Sequence, residues 1–203
     1  MITKTLVIFA NSVKHNEHCV AGKDVLTKEW IRPVGDKNGC ELTDDQIMYQ
    51  NKYGKYPVKP LQKMNIDFIE RAPLKQQPEN YVVSNKIWTQ NYKIEREDIE
   101  NYLDNPSDLW LDGTSKNDRV NYNFIVNNTL VISQSLYLIK VNGLTIQKED
   151  RRAIFKYNGV RYDLAITDPG LRYVDEGLDF YYLVISLGEE FQGNCYKLVA
   201  SIL

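Results

Sequence analysis

Arg152-Ala-Ile-Phe-Lys-Tyr157, Asn158-Gly159, Val160-Arg-Tyr-Asp-Leu-Ala-Ile166: two alternating runs flank an Asn-Gly pair, which predicts a β-hairpin closed by a two-residue turn. The register follows from the turn. Tyr157 faces Val160, Phe155 faces Tyr162 and Ala153 faces Leu164, so one face is apolar and suited to a core. On the other face Lys156 lies opposite Arg161, with Arg152 adjoining. Like charges directly across a ladder are destabilising, so this pair is either well solvated or sits under something anionic.

Working outward, the 203 residues suffice for one large β domain or two small ones. A hydrophobic content of 43% and a formal charge of -2 are ordinary for a globular protein. The mildly acidic balance argues against a strongly non-specific DNA binder but leaves room for a local basic face. The apolar run Leu6 to Ala10 is too short for a secretory core or a membrane span. Cys19, Cys40 and Cys195 are odd in number and scattered, which fits a reducing compartment. The expectation is therefore a cytoplasmic protein without a membrane partner.

The N-terminal half reads as three strands, a helix and two strands. The strands are Lys4 to Val13, His18 to Leu26, Trp30 to Val34, Gln62 to Ile69 and Tyr81 to Trp88. Pro33 places the third at an edge or a strand end. Thr43 and Gln46 form a capping-box signature for a short helix, and Tyr49 to Pro60 reads as a loop rich in Tyr, Lys and Pro. Glu95 to Leu103 reads as a linking helix with Ile99, Tyr102 and Leu103 on one stripe, stopped by Pro106. The second half resumes at Asn128, with a strand over Leu130 to Val141, a turn at Asn142-Gly143 and Leu144 to Gln147 leading into the hairpin. Thr167-Asp-Pro-Gly170 ends the meander, and Phe180 to Leu187 and Tyr196 to Leu203 supply two more strands. The apolar run to Leu203 suggests a terminus paired into the sheet. A meander, a crossing connection and two further strands is the order of an OB barrel. The fold expected is mainly β: two OB-like small β-barrels with short connecting helices, over residues 1–105 and 106–203.

Several stretches carry a family resemblance: Cys19-Val-Ala-Gly22, Trp30-Ile-Arg-Pro-Val34, Gln77-Pro-Glu-Asn80, Thr167-Asp-Pro169 and the block Ser186-Leu-Gly-Glu-Glu-Phe-Gln-Gly-Asn-Cys-Tyr-Lys-Leu-Val-Ala200. Together they resemble the pattern of bacterial dual-OB-domain proteins over nearly the whole chain. The resemblance implies two OB-like barrels and a nucleic-acid or nucleotide role. It transfers no catalytic residue.

No catalytic, metal or cofactor constellation stands out. His15, His18 and Cys19 are close, but a zinc site needs about four well-spaced ligands and no second pair exists. A Ser or Cys triad would have only these histidines as base. Glu189-Glu190 and Asp44-Asp45 are adjacent and point to opposite faces of a strand. Binding features are richer, because OB grooves combine aromatic platforms with cations that track phosphates, and this chain has 14 Tyr and 3 Trp. Trp30 and Arg32 alternate onto one face; Arg152, Lys156 and Arg161 line the hairpin's polar face; Lys14 and Lys197 complete the candidate ligand-binding set. The competing reading makes Trp30 core with Arg32 against an acidic partner, makes Lys156 and Arg161 a solvated face relieved by Asp163, and lets Lys197 snorkel to the barrel rim.

Three functions follow from these readings. One is non-catalytic binding of single-stranded nucleic acid or a nucleotide. The second is a protein-interaction module whose strand edges and Tyr-rich loops dock another protein. An enzyme using Lys14, Asp168 or Lys197 is the third, and no residue spacing demands it.

Overall fold

The computed structural model describes residues 1–14 and 17–203, and His15 of the proposed metal trio lies outside them. Its contacts divide the chain into two compact units, Met1–Leu74 with Glu79–Tyr102, and Lys75–Pro78 with Leu103–Leu203. Within the second unit, Lys75 Nζ donates to Val126 O at 2.7 Å.

In the first unit β1 (Ile2–Lys14), β2 (Glu17–Asp24) and β3 (Trp30–Val34) form an antiparallel meander. Then come β4 (Met48–Asn51), β5 (Gly54–Pro57), β6 (Gln62–Arg71), β7 (Asn80–Val83) and β8 (Trp88–Lys93). β3 pairs parallel with β7, β7 antiparallel with β6, and β6 with β1, so five strands close into a barrel in OB order. Gly22 is needed where β1 and β2 approach, because a Cβ there would sit 2.6 Å from Val7 O. The interior is filled by Leu6, Ile8, Val20, Ile31, Met64, Ile66 and Phe68.

Several sequence expectations are corrected here. β3 is an interior strand, not an edge: its ladder to β2 ends at Ile31, and Arg32 N already donates to Glu79 O at 3.0 Å, so Pro33 falls where no donor is required. Thr43 and Gln46 exchange the capping-box bonds, Thr43 N to Gln46 Oε1 at 3.0 Å and Gln46 N to Thr43 Oγ1 at 3.4 Å, yet the turn does not propagate into a helix. Met48 already enters a strand, and one turn fixes too many dihedrals per bond to stand as a helix. The Tyr-Lys-Pro loop is the β4–β5 hairpin. Tyr81 to Trp88 is not one strand but the end of β7, a break and the start of β8. The linking helix is a 3₁₀ segment, Arg96–Tyr102, that buries Ile99 and Tyr102 as its stripe requires.

The second unit begins with two elements that hydrophobic periodicity did not reveal, β9 (Arg119–Asn121) and α1 (Tyr122–Val126). It continues through β10 (Leu136–Val141), β11 (Thr145–Gln147), β12 (Arg152–Tyr157), β13 (Val160–Ile166), β14 (Tyr181–Phe191) and β15 (Asn194–Ile202). The sheet runs β10-β14-β15-β13-β12-β11, with β13 and β15 parallel and β9 added to the start of β15. Its two end strands, β10 and β11, are consecutive in the chain, separated only by residues 142–144. Asn142-Gly143 is the corner between them, where the chain leaves β14 and joins β12. The strand expected from Leu130 starts only at Leu136.

The hairpin has the register its sequence predicts, from Ala153↔Leu164 to Tyr157↔Val160. Asn158 (φ 46°) and Gly159 (φ 81°) are both left-handed, as a type I′ turn demands. Phe155 and Tyr162 stack at 5.5 Å inside the barrel, in one cluster with Leu164, Leu183, Ile185, Leu187 and Val199. No helix among the described residues is long and apolar enough to cross a membrane.

Candidate functional site

Strand alternation sends Ala153, Phe155 and Tyr157 inward, so Arg152 and Lys156 stand on the outer face of β12, with Arg161 and Asp163 on that of β13. The four are not equivalent. Arg152 Nε donates to Asp163 Oδ1 at 2.8 Å and Nη2 to Asp163 O, which ties this guanidinium down. Lys156 and Arg161 are opposite one another, exposed, and in no ion pair among the described residues. The hairpin tip that presents them is anchored, since Tyr157 Oη donates to Pro106 O at 2.9 Å and Asn158 Nδ2 donates to Pro106 O at 3.1 Å and to Ser107 O at 3.0 Å.

A second cluster adjoins this face. Asn117 Nδ2 donates to Arg161 O at 3.2 Å and Lys197 N donates to Asp118 O at 2.8 Å, so residues 117–118 bridge β13 and β15. Beyond the bridge is a cleft of about 270 Å³ lined by Asp112, Thr114, Lys116, Arg119, Asn121 and Asn194. Arg119 lies 4.6 Å from the Tyr196 ring centroid and donates to Tyr196 Oη at 3.0 Å. Its hydrogen bonds to Asp118, at 2.9 and 2.7 Å, hold the Asp118 carboxyl below the usual range, with the charge of Arg152 adding to the effect. Burial pushes the Asp112 carboxyl up, but hydrogen bonds from Thr114 and from Asn121 N, with the charge of Lys197, outweigh it and keep it ionised. The cleft thus offers amides, hydroxyls, two cations and the Asp112 carboxylate, chemistry suited to a polar, hydrogen-bonding ligand.

The remaining candidates are placed differently. Trp30 is buried, edge-on to Phe9 at 6.0 Å, and Lys23 Nζ lies 5.1 Å from its ring centroid. Arg32 is buried too, with Nη2 3.8 Å from Glu79 Oε1. Neither presents a face to a ligand groove, because every residue of β3 is buried. Lys14 ends β1, opposite Glu17. Lys197 does not snorkel: it is 1% exposed, on the inner row between Cys195 and Val199, because Leu187 opposite it on β14 already faces the core. Its Nζ lies 5.8 Å from the Tyr162 ring centroid and has no hydrogen-bond partner among the described residues. Burial pushes the amine down to about 8, against the pull of Asp112, Asp108 and Asp118.

A family model described as "Dual OB-containing domain" matches residues 4–202. The chain belongs to this dual OB-containing domain family. No curated protein matches it. The family match agrees with the two OB-ordered sheets and with the resemblance carried by Cys19 to Gly22 and by the closing block, which spans β14 and β15. Sequence reasoning missed the cleft of this dual-OB chain: residues 112–121 are dense in turn formers, and the three-residue β9 is too short to show a period. The Arg119-Val-Asn121 alternation beside Asp112-Gly113 was the one usable signal.

Among the described residues no group of three or more His, Cys, Asp or Glu is placed to hold a metal ion. His18 is occupied structurally, Nδ1 with Asn11 Oδ1 at 2.8 Å and Nε2 with Asp44 Oδ1 at 2.9 Å. Burial, with Glu190 and Glu189 nearby, pushes the Cys195 thiol up to about 12, far from a working nucleophile.

Proposed function

We propose that this protein is a non-catalytic binder of single-stranded nucleic acid or a nucleotide, using the outer face of β12 and β13 with the adjoining cleft. The observation that carries the reading is the Lys156–Arg161 pair: two exposed cations held opposite each other at an anchored hairpin, in no ion pair among the described residues. An anionic backbone laid across the hairpin relieves that repulsion, and the Arg119–Tyr196 cluster and cleft beside it supply polar contacts. His18, with both ring nitrogens held by Asn11 and Asp44, and the buried Cys195 favour binding over catalysis.

The test is fluorescence anisotropy with a labelled oligothymidylate. Affinity is expected to fall steeply between about 50 and 200 mM salt. The double change Lys156→Glu, Arg161→Glu is expected to weaken binding by at least roughly tenfold, since it reverses two phosphate contacts. Affinity indifferent to both would reject the interface and leave the protein-docking reading.

A further inference from the structure

The first unit carries an unusual segregation of charge. No acidic residue occurs between Asp45 and Asp67, while Lys52, Lys55, Lys59 and Lys63 do; residues 80–94 add Lys86 and Lys93, again without a carboxylate. In a chain of net charge -2 this leaves one strongly basic region. The fold brings both stretches together, because β4 pairs parallel with β8 (Tyr49↔Trp88, Gln50↔Thr89) and antiparallel with β5, the last strand of the sheet. Carboxylates from outside neutralise two of the lysines, Asp67 holding Lys86 at 2.8 Å and Glu95 holding Lys93 at 3.0 Å. Lys52, Lys55 and Lys59 are exposed and in no ion pair among the described residues.

Aromatic rings stand among these cations. Tyr53 is 75% exposed, Tyr56 42% and Tyr92 79%, although Tyr49 and Trp88 on the same strands are buried. Tyr53 forms the β4–β5 turn with Lys52 Nζ 4.8 Å from its ring centroid, and Tyr56 Oη donates to Tyr53 O at 3.1 Å. Tyr92 has φ 92°, a conformation a bulky L-residue avoids, at the irregularity where β8 slips its register against β6. The slip, not burial of the ring, sets this conformation, and it leaves the side chain in solvent. Asn51 Nδ2 donates to Gln90 Oε1 at 3.3 Å, which holds the hairpin tip beside the end of β8 and puts Tyr53 and Tyr92 at the same end of the wing.

We propose that this wing, β4–β5 with the end of β8, is a second contact surface for single-stranded nucleic acid: bases stack on Tyr53 and Tyr92, and phosphates run along Lys52, Lys55 and Lys59. The inference rests on the nucleic-acid reading above but uses none of its residues. Charge complementarity selects a polyanion, and exposed rings select one with flat unpaired faces. A duplex hides its base faces, whereas a single strand leaves them free to stack.

The experiment compares four forms of the full chain for binding a labelled oligothymidylate: wild type, Tyr53→Ala with Tyr92→Ala, Lys52→Glu with Lys55→Glu, and the hairpin variant Lys156→Glu with Arg161→Glu. A 5-iodouracil oligonucleotide is photocrosslinked in parallel and the adducts are mapped by mass spectrometry. Each wing pair is expected to weaken binding roughly tenfold, in line with the loss of a stacking platform, with an unchanged melting profile because these side chains are exposed. Adducts are expected on Tyr53 or Tyr92. Wing variants that bind as wild type, with adducts confined to the second unit, would overturn the wing and leave the hairpin interface standing. Loss with the wing variants alone would support the wing and remove the hairpin. A wild-type chain with no affinity at low salt would remove both.

Discussion

Lys197 is the side chain least at home in its surroundings. A buried amine without a hydrogen-bond partner opposes folding in its charged form, which is why its pKa falls to about 8 from the usual 10.5. The folded state therefore releases this proton before the unfolded chain does. The penalty is full below pH 8 and fades as pH rises through 10.5, above which both states are neutral. Lys197→Met is accordingly expected to be more stable than wild type at pH 7 by about 3 kcal/mol, the free-energy equivalent of such a shift. The difference between the two proteins should shrink as pH rises from 8 and close only above the amine's usual 10.5. Urea denaturation of both at several pH values checks this, and using their difference cancels the tyrosines and Cys195, whose alkaline titration acts with the opposite sign. A gap that stays constant with pH would mean that side-chain packing, not charge burial, separates the two.

At the scale of elements, turns and short polar locks set the geometry of the candidate site. Gly159 at φ 81° faces open space, so its methyl substitution tests backbone strain alone. Gly159→Ala is expected to cost about 1 kcal/mol in thermal or urea unfolding without altering the core. Asp168 matters more. Its Oδ1 accepts from Gly170 N at 2.6 Å and its Oδ2 from Ile202 N at 2.9 Å, so one buried carboxylate joins the end of β13 to the end of β15. Asp168→Ala leaves both donors unpaired and is expected to destabilise the second unit by about 2–3 kcal/mol. A loss under about 0.5 kcal/mol, the level of an ordinary surface change, would refute the lock. Thr-Asp-Pro-Gly is thus a structural clasp, where sequence alone read only a turn.

For the molecule as a whole, β15 is the strand on which the second sheet depends. It pairs with β14, β13 and β9, and residues 198–203 bring Val199, Ala200 and Ile202 into the core. Removing those six residues is expected to abolish the cooperative melt reported by Trp110, which lies in this core, or to drive aggregation. A truncated chain that melts cooperatively with native Trp110 fluorescence would contradict the assignment. Alternation along 152–166 and a two-residue turn were enough to write the hairpin's register in advance, because both are local properties of neighbouring residues. The composition of residues 49–60 likewise disclosed a Tyr-Lys cluster, though as a loop. The parallel pairings β3–β7 and β13–β15, the bend at Asn142-Gly143 and the joining of β4 to β8 were invisible, since a side-chain pattern records which face is buried and not which distant strand lies beside it. Lys197 turning inward, Trp30 closing into the core and Tyr92 being forced outward belong to the same class: each is decided by what the rest of the barrel leaves room for.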